Sequence, residues 1–477
     1  MTISPCRSRF FVDYKDLHQL LLAVQKKCCK NHPQQIVSIS LEIDLIDPLV
    51  VLDKFSQANT LNFYFENKSK GEAIAAIDAI AKLEIGGKER FTKAEEFIRN
   101  FLRNVIHFGN SRQPFAGIHS FAGIHFFCCF SFFEQHHQPN YPFPAATIFL
   151  PHLQVAVKNE CCTLVINSII NSDVNIQTIL QEIKSKIEII QSLENYSLHS
   201  DIFPVNLLKK NITNPDKFKH SVLSVLEKIQ ANNLRKIVLA DILDVSSSNA
   251  FNLFKSLNNL RQLHPNCYVF STSNGKGQNF IGASPERLIS IQNQQLITDA
   301  LAGSAPRGKT PREDAENANK LINSTKEKHE HKLVLDFITQ RLSQLGLFPQ
   351  ILSPRLRQLS NIQHLWTPIS AVVPANVHPL KIVGQLHPTP AVAGAARDIA
   401  CTEIRNYESF ERGLYAAPLG WVDGSGNCEF IVGIRSALID GNRARLYAGA
   451  GIVAGSNPEK EFAEVQLKLQ ALLKALV

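Results

Sequence analysis

The sequence lacks the features that mark secreted, membrane-spanning or zinc-ribbon proteins. Its 10 cysteines in 477 residues include no CxxC pair, so neither a zinc ribbon nor a thioredoxin-like motif is indicated. Its beginning has no cationic segment followed by a long apolar one, so we expect no secretory leader. FFCCFSFF (126–133) is far shorter than the roughly 20 apolar residues of a membrane-spanning helix. We therefore expect a cytoplasmic protein with small buried thiols and no membrane span.

The chain also lacks a concentrated block of charge. It has 50 lysine and arginine residues against 42 aspartate and glutamate residues, a net charge of +8 that is spread along the chain. This distribution favours anionic partners weakly and gives no indication of nucleic-acid binding. With 44% hydrophobic and 19% charged residues, the composition is globular, which excludes collagen-like, coiled-coil and disordered chains.

Strand and helix patterns come in runs rather than in regular alternation. A polar stretch with proline over 199–216 predicts a boundary or long connection between an N-terminal half (1–210) and a C-terminal region (211–477). Periodicity predicts strands over 36–43, 152–157, 164–170 and 236–245, and helices over 93–106, 175–194, 216–232, 312–345 and 458–475. Such runs favour α+β layers over a Rossmann or TIM-barrel architecture.

Two of the predicted helices carry glutamate pairs at helical spacing. Glu327 and Glu330 lie three residues apart in one, and Glu461 and Glu464 in the other, which begins with a possible capping box at Ser456. Such pairs are most often exposed ion-paired surface, but two facing pairs would suit octahedral Mg²⁺. A di-iron site is the rival and usually requires Glu-x-x-His, which neither pair provides.

Other motifs are weak when each is taken alone. ALAGSAPRG (300–308) and YAGAGIVAGS (447–456) could hold an anion with backbone N–H groups, but neither matches GxxxxGK[ST] or GxGxxG. Tight turns explain these glycines at least as well. Lys236 in KIVLAD and Glu286 in FIGASPERL would each be interpreted alone as a solvated surface group.

Taken together and in order, the motifs resemble those of the chorismate-utilising enzymes, the family of anthranilate synthase component I. They are KIVLA, FIGASPERL, ALAGSAPRG, KEKHEHKLVLD, LSNIQHLW, LHPTPAVAG, RGLYAAPLGW, EFIVGIRSA, YAGAGIVAGS and EFAEVQLK. The resemblance covers 216–477 and implies an α+β sandwich of two large antiparallel sheets with helices outside. It also implies that the divergent N-terminal half belongs to the same compact fold. At 126–133 two cysteines replace glycines that relatives often place in a turn. The resemblance therefore does not predict whether the backbone forms a turn there.

Within this family the motifs are most similar to the isochorismate synthases. Aminating members typically have PIAGT where this chain has ALAGS, and salicylate synthases tend to have threonine at Ala391. The resemblance implies Mg²⁺-dependent conversion of chorismate to isochorismate by water addition at C2 and loss of the C4 hydroxyl. Menaquinone or phylloquinone biosynthesis is the expected pathway. A salicylate synthase and a non-catalytic chorismate-binding protein are the alternatives.

The resemblance implies a role for each candidate residue. Lys236 is implied as the general base, which requires a neutral amine, and Glu286 as the general acid, which requires a raised pKa. The implied metal ligands are Glu330 and Glu464, with water-mediated or outer contacts from Glu327 and Glu461. The implied substrate-binding residues are Ser304, His364, Ala391, Tyr415, Arg435, Gly449, Gly451 and Lys468. Chorismate is the expected partner, without an amidotransferase subunit, and a monomer is favoured.

Overall fold

The computed structural model describes residues 13–28, 33–109, 123–138, 140–193, 207–212, 214–359 and 362–477. The helices of this part are α1 (Tyr14–Lys27), α2 (Pro48–Phe55), α3 (Arg90–Leu102), α4 (Ile176–Ser192), α5 (Pro215–Gln230), α6 (Leu253–Leu263), α7 (Pro311–Asn323), α8 (Thr325–Gln344), α9 (Pro379–Leu386), α10 (Arg397–Tyr407) and α11 (Pro458–Leu476).

The strands of the same part number twenty. They are β1 (Gln34–Ile43), β2 (Asn62–Asn67), β3 (Glu72–Ile85), β4 (Val105–Gly109), β5 (His125–Phe130), β6 (Ala146–Lys158), β7 (Cys161–Asn171), β8 (Leu207–Ile212), β9 (Lys236–Ser247), β10 (Tyr268–Ser273), β11 (Gln278–Ser284), β12 (Arg287–Gln292), β13 (Gln295–Pro306), β14 (Gln350–Ile351), β15 (Arg355–Gln358), β16 (Ile362–Val372), β17 (Pro418–Asp423), β18 (Cys428–Val432), β19 (Ser436–Asp440) and β20 (Arg443–Val453).

These strands form one hydrogen-bonded network with two arms that meet at β6. Strand β6 pairs with β3 along one edge and with both β5 and β7 along the other. One arm continues from β3 through β2, β10, β11, β19 and β20 to β9, and the other from β5 through β17, β18, β12 and β13 to β16. Within the described residues every pairing is antiparallel except that of β1 with β4. The predicted α+β class is confirmed, and its two sheets are continuous through β6.

Strands from both halves of the chain are neighbours in this network. Strand β2 pairs with β10, and β5 pairs with β17. The predicted connection over 199–216 lies partly outside the described residues, as do the first 12 residues on which the expectation about a leader rests. Within that connection β8 pairs with β9.

The run FFCCFSFF begins as a strand rather than as a turn. Its first five residues lie in β5, where Cys128 and Cys129 are buried and pair with Gly420 and Leu419 of β17. Burial on both faces explains the continuous apolar sequence, because neither side of this strand meets water. The cysteines are thus packing residues at the junction of the two arms.

Three predicted boundaries are wrong for local reasons. The helix predicted over 312–345 is two helices, because Ser324 has extended backbone and its side chain accepts a hydrogen bond from the Glu327 N–H at 3.3 Å. The helix predicted over 93–106 ends at Leu102, and β4 follows. Asn457, rather than Ser456, is the N-cap of α11, since its Oδ1 accepts from the N–H groups of the next turn.

The two helices that carry the glutamate pairs pack against neighbouring strands. Helix α8 contacts β13 and β16, and α11 contacts β20 and β9. Val334 and Ile338 of α8 and Val465 and Leu469 of α11 are buried on the faces that contact the core. Within the described residues no helix is both long and apolar enough to span a membrane.

Candidate active site

A cleft with an empty volume of about 820 Å³ lies beside α8 and α11, over strands β9, β13 and β20. Thirteen of the fourteen residues implied by the resemblance line it, and the fourteenth, Lys236, contacts one of them. The sequence reasoning did not identify the further lining residues Val238, Pro285, Leu301, Ala302, Gly303, Lys326, Val392, Ile434 and Ala448. Most of these are small or apolar, so no charge or motif distinguished them from core residues.

Lys236 is buried at the start of β9 and forms an ion pair with α8. Its side chain is 0% exposed, and its Nζ lies 2.8 Å from Glu330 Oε1. Both groups pack on Gly451 of β20, where a Cβ atom would lie 2.6 Å from Glu330 Oε1 and 3.3 Å from Lys236 Cε. Gly451 therefore leaves room for the pair, because an added Cβ atom would displace the Glu330 carboxylate.

Glu286 lies between β11 and β12 with its carboxyl group out of water. Its N–H donates to Ser284 Oγ at 3.1 Å, and its carbonyl accepts from the Val432 N–H at 3.1 Å, so the backbone is fixed on both sides. Burial raises the pKa of this carboxyl to about 8, while the positive charge of Lys236 lowers it. The carboxyl is therefore mostly protonated at neutral pH and can donate a proton.

His364 of β16 contacts both Ser304 of the neighbouring strand β13 and Arg435, which precedes β19. Ser304 lies opposite His364 in the register, and Ser304 Oγ is 3.0 Å from His364 Nδ1. Arg435 Nη2 lies 3.4 Å from His364 Nε2. Burial, followed by the charge of Arg435, holds the pKa of His364 well below its usual range, so the ring is neutral. A neutral ring that accepts from Arg435 carries its proton on Nδ1, which leaves the Ser304 hydroxyl hydrogen for a ligand.

Arg435 itself has an unusual backbone conformation. Its φ is +52°, in the left-handed region that non-glycine residues seldom occupy, and its carbonyl accepts from the Ala283 N–H at 3.1 Å. Burial lowers the pKa of its guanidinium from the ordinary value. A strained, half-buried arginine at a cleft wall indicates an anion-binding role.

Tyr415, Gly449 and Lys468 form the neighbouring wall. Lys468 Nζ donates to the Gly449 carbonyl at 2.9 Å and to Glu464 Oε1 at 2.7 Å. A Cβ atom at Gly449 would lie 2.9 Å from the Tyr415 hydroxyl, so this glycine leaves room for the ring. Burial raises the pKa of Tyr415, which keeps its hydroxyl protonated. Ala391 lines the cleft and contributes no polar group.

The four glutamates predicted as metal ligands each contact a lysine. Glu330 contacts Lys236, Glu464 contacts Lys468, and both Glu461 and Glu327 contact Lys326, at 2.7 to 3.3 Å. In the described part of the chain no three His, Cys, Asp or Glu side chains are grouped closely enough to hold a metal ion. The donors fit Mg²⁺ chemically, because all are carboxylate oxygens. Each of them is nevertheless ion-paired with a lysine, and Glu327 and Glu461 share the same one.

Lys326 is the charged cleft residue that sequence reasoning missed. Burial opposes its charge, but Glu461 and Glu327 together raise the pKa of Lys326 above its ordinary value. A single lysine one position before a glutamate gives no sequence signal. Only the approach of α11 to α8 shows its position.

Comparisons with known proteins identify the family of the chain. The family of chorismate binding enzymes matches residues 23–477. The salicylate biosynthesis isochorismate synthase of Pseudomonas aeruginosa is 30% identical over 92% of this chain and 90% of its own length. Isochorismate synthase MenF of Bacillus subtilis is 29% identical over 96% of this chain and 97% of its own length.

A solved structure extends the agreement to the fold. The menaquinone-specific isochorismate synthase MenF from Escherichia coli is similar with a TM-score of 0.75 and 26% identity, over 97% of this chain and 99% of that one. The match includes the N-terminal part, in which the sequence motifs were weak. The chain belongs to the family of chorismate binding enzymes.

Proposed function

We propose that this protein is an isochorismate synthase that converts chorismate to isochorismate by adding water at C2 and expelling the C4 hydroxyl. The observation that carries the proposal is a buried amine, Lys236, paired with the cleft residue Glu330, together with a buried carboxyl in the same cleft, Glu286, whose pKa is raised. The reaction needs one group that takes a proton from water and another that gives a proton to the departing hydroxyl. The names of the full-length relatives support the same reaction.

In this mechanism Lys236 is the base and Glu286 the acid. The amine must be neutral to accept a proton from water. Glu286 retains its proton at neutral pH because its pKa is raised to about 8. The carboxyl can therefore protonate the C4 oxygen as the bond to carbon breaks.

The cations on the walls bind a substrate that carries two carboxylates. Arg435 and Lys468 provide the positive charge for the pyruvyl carboxylate, with the Tyr415 hydroxyl beside them. Ser304 can donate to a ring substituent, since His364 supplies the hydrogen bond that its oxygen accepts. The apolar residues Val238 and Ile434 exclude water from the ring.

We propose that Mg²⁺ binds between α8 and α11. Glu330 and Glu464 would hold it directly, and Glu327 and Glu461 through water. When bound, Mg²⁺ would neutralise and orient the ring carboxylate. Support comes from the donor set, since four carboxylates from two helices line one wall of the cleft.

The proposal is tested by product analysis. The purified chain is incubated with chorismate and Mg²⁺, with and without a chelator, and the products are separated by chromatography. We expect a mixture of chorismate and isochorismate that forms only without chelator, and no pyruvate. Salicylate with pyruvate would instead assign a salicylate synthase. Unchanged chorismate in a folded protein that binds it would assign a non-catalytic binding protein.

We infer a role in quinone biosynthesis from the agreement with the Escherichia coli MenF structure over 97% of the chain. Expression in a bacterium that lacks its menaquinone-specific isochorismate synthase should restore menaquinone.

A cytoplasmic location is proposed on the basis of the thiols, since the eight cysteines in the described residues are free. The proposal includes no amidotransferase partner, because water rather than ammonia is the nucleophile.

A further inference from the structure

Lys326 occupies a position between two carboxylates of different helices. Its Nζ lies 3.0 Å from Glu461 Oε1 of α11 and 3.3 Å from Glu327 Oε1 of α8. Among the residues that the structure describes, Lys326–Glu461 is the only ion pair that joins these helices. The mechanism above gives Lys326 no role.

The contacts divide the four glutamates into two kinds. Glu327 is held at both oxygens, since Oε1 contacts Lys326 and Oε2 accepts from the Ser304 N–H at 3.0 Å. Glu461 is buried, contacts Lys326 through Oε1 and has a further side-chain interaction with Ser456. Glu330 and Glu464 each contact a single lysine through one oxygen, Oε1. Lys326 thus engages two of the four carboxylates at once.

The number of available carboxylates determines which divalent cation a site prefers. Mg²⁺ keeps several waters and is usually held by one or two carboxylates in a strict octahedron. Ca²⁺ accepts six to eight oxygens in a flexible arrangement and gains affinity as carboxylates are added. A cleft wall with two available carboxylates suits Mg²⁺, whereas four available carboxylates would suit Ca²⁺.

We propose that Lys326 determines metal selectivity, by engaging Glu327 and Glu461 so that only Glu330 and Glu464 are available to bind the cation directly. The inference rests on the proposed Mg²⁺ site and adds a discriminating residue to it. Lys326 acts through the glutamates and is therefore a positioning residue. Lys236 and Lys468 differ from it because each contacts a single glutamate and has a role toward the substrate.

The test measures binding of Mg²⁺ and Ca²⁺ to the full chain by isothermal titration calorimetry. In Lys326→Met we expect Ca²⁺ to bind roughly tenfold more tightly, with less than about threefold change for Mg²⁺. Lys326→Arg should keep the wild-type preference, because its guanidinium can contact both carboxylates. Lys332→Met is the matched control, since Lys332 lies on the same helix, is exposed and pairs with Asp336.

If Lys326 acted only through its positive charge, its removal would raise the affinities for Mg²⁺ and Ca²⁺ by the same factor. This result would overturn the proposal. Unchanged Ca²⁺ affinity in Lys326→Met and in a second variant, Lys326→Gln, would overturn it too, as would a wild-type chain that binds neither cation. Equal shifts with normal isochorismate formation would contradict only the role of Lys326. The expected shifts in a chain that never converts chorismate would contradict only the proposed function.

Discussion

At the residue scale, the protonation of Glu286 depends on its immediate neighbours. Asp299 is buried in β13, where it accepts from Arg287 Nη2 at 2.9 Å and from Trp366 Nε1 at 2.8 Å. Burial is the largest cause of the raised pKa of Glu286, and the negative charge of Asp299 raises it further. A carboxylate that the sequence motifs did not include thus contributes to the raised pKa of the acid.

The proposed acid gives kcat/KM an alkaline limb near pH 8. Glu286 must be protonated to act, so activity falls as pH rises through its pKa of about 8, where the proton is lost. The positive charges of Lys236, Lys468 and Arg357 lower the pKa of Glu286, and the negative charge of Asp299 raises it. Asp299→Asn therefore leaves only charges that lower this pKa. We expect this variant to move the limb roughly half a unit to one unit toward lower pH. A limb that stays in place would show that another group controls it.

At Gly451, one added methyl group should lower activity without lowering stability to the same extent. In Gly451→Ala the Cβ atom would lie 2.6 Å from Glu330 Oε1, so the Glu330 carboxylate must shift and its contact with Lys236 changes. We expect kcat/KM to fall by about 100-fold, because catalytic groups displaced by an ångström lose that much. Gly86→Ala is the control, since its Cβ atom would meet nothing nearer than 3.5 Å. Similar activity in the two variants would contradict the role of the Lys236–Glu330 contact.

At the scale of elements, β9 is positioned by a buried arginine that follows α10. Arg412 donates to the carbonyls of Val238 and Val392, each at 2.8 Å, and pairs with Glu408. Glu408 in turn accepts from the Ala240 N–H at 2.8 Å. These bonds connect the strand that carries Lys236 to the segment that carries Ala391.

Removal of Arg412 should therefore destabilise the strand that carries the proposed base. Arg412→Met leaves Glu408 buried and unpaired, and we expect the free energy of unfolding to fall by about 3–5 kcal/mol. The double variant with Glu408→Gln should lose less than the sum of the two single changes, because the second removes the uncompensated charge. Urea denaturation of the four proteins measures this. Additive losses would show that the pair is not coupled.

The periodicity of the sequence predicted the isolated elements better than their ends. Apolar alternation sufficed for β1, richness in β-branched residues for β9, and helical spacing for α4 and α11. The break at Ser324 was missed because serine is tolerated within helices and its cap depends on a local backbone choice. Lys326 and Arg412 were missed because their contacts involve residues far apart in the sequence, which no local pattern encodes. Motif resemblance placed the fourteen candidate residues, but their roles stay predictions.

At the scale of the whole molecule, the charges of the cleft balance. They come from helices and strands spread over 236–468. With Glu286 protonated, the carboxylates of the cleft are Glu327, Glu330, Glu461 and Glu464. The cations are Lys326, Arg435 and Lys468, with Lys236 as the fourth while it is ion-paired with Glu330 and before it loses the proton to act as the base. Four negative and four positive charges cancel. A dianion or a dication that binds alone would therefore leave an excess of charge in the cleft.

This balance predicts that chorismate and Mg²⁺ bind cooperatively. Together their charges of −2 and +2 leave the cleft neutral, whereas either alone leaves an uncompensated excess in a partly buried site. In Glu286→Gln the side chain is neutral, like protonated Glu286, but cannot donate the proton that turnover requires. In this variant saturating chorismate should tighten Mg²⁺ binding by about tenfold or more. Calorimetry should show the same factor for chorismate when Mg²⁺ saturates, because coupling between two ligands is reciprocal. The uncharged dimethyl ester of chorismate is the control and should leave Mg²⁺ affinity unchanged. Equal Mg²⁺ affinity with and without chorismate would mean that the lysines, rather than the metal, balance the charge of the substrate.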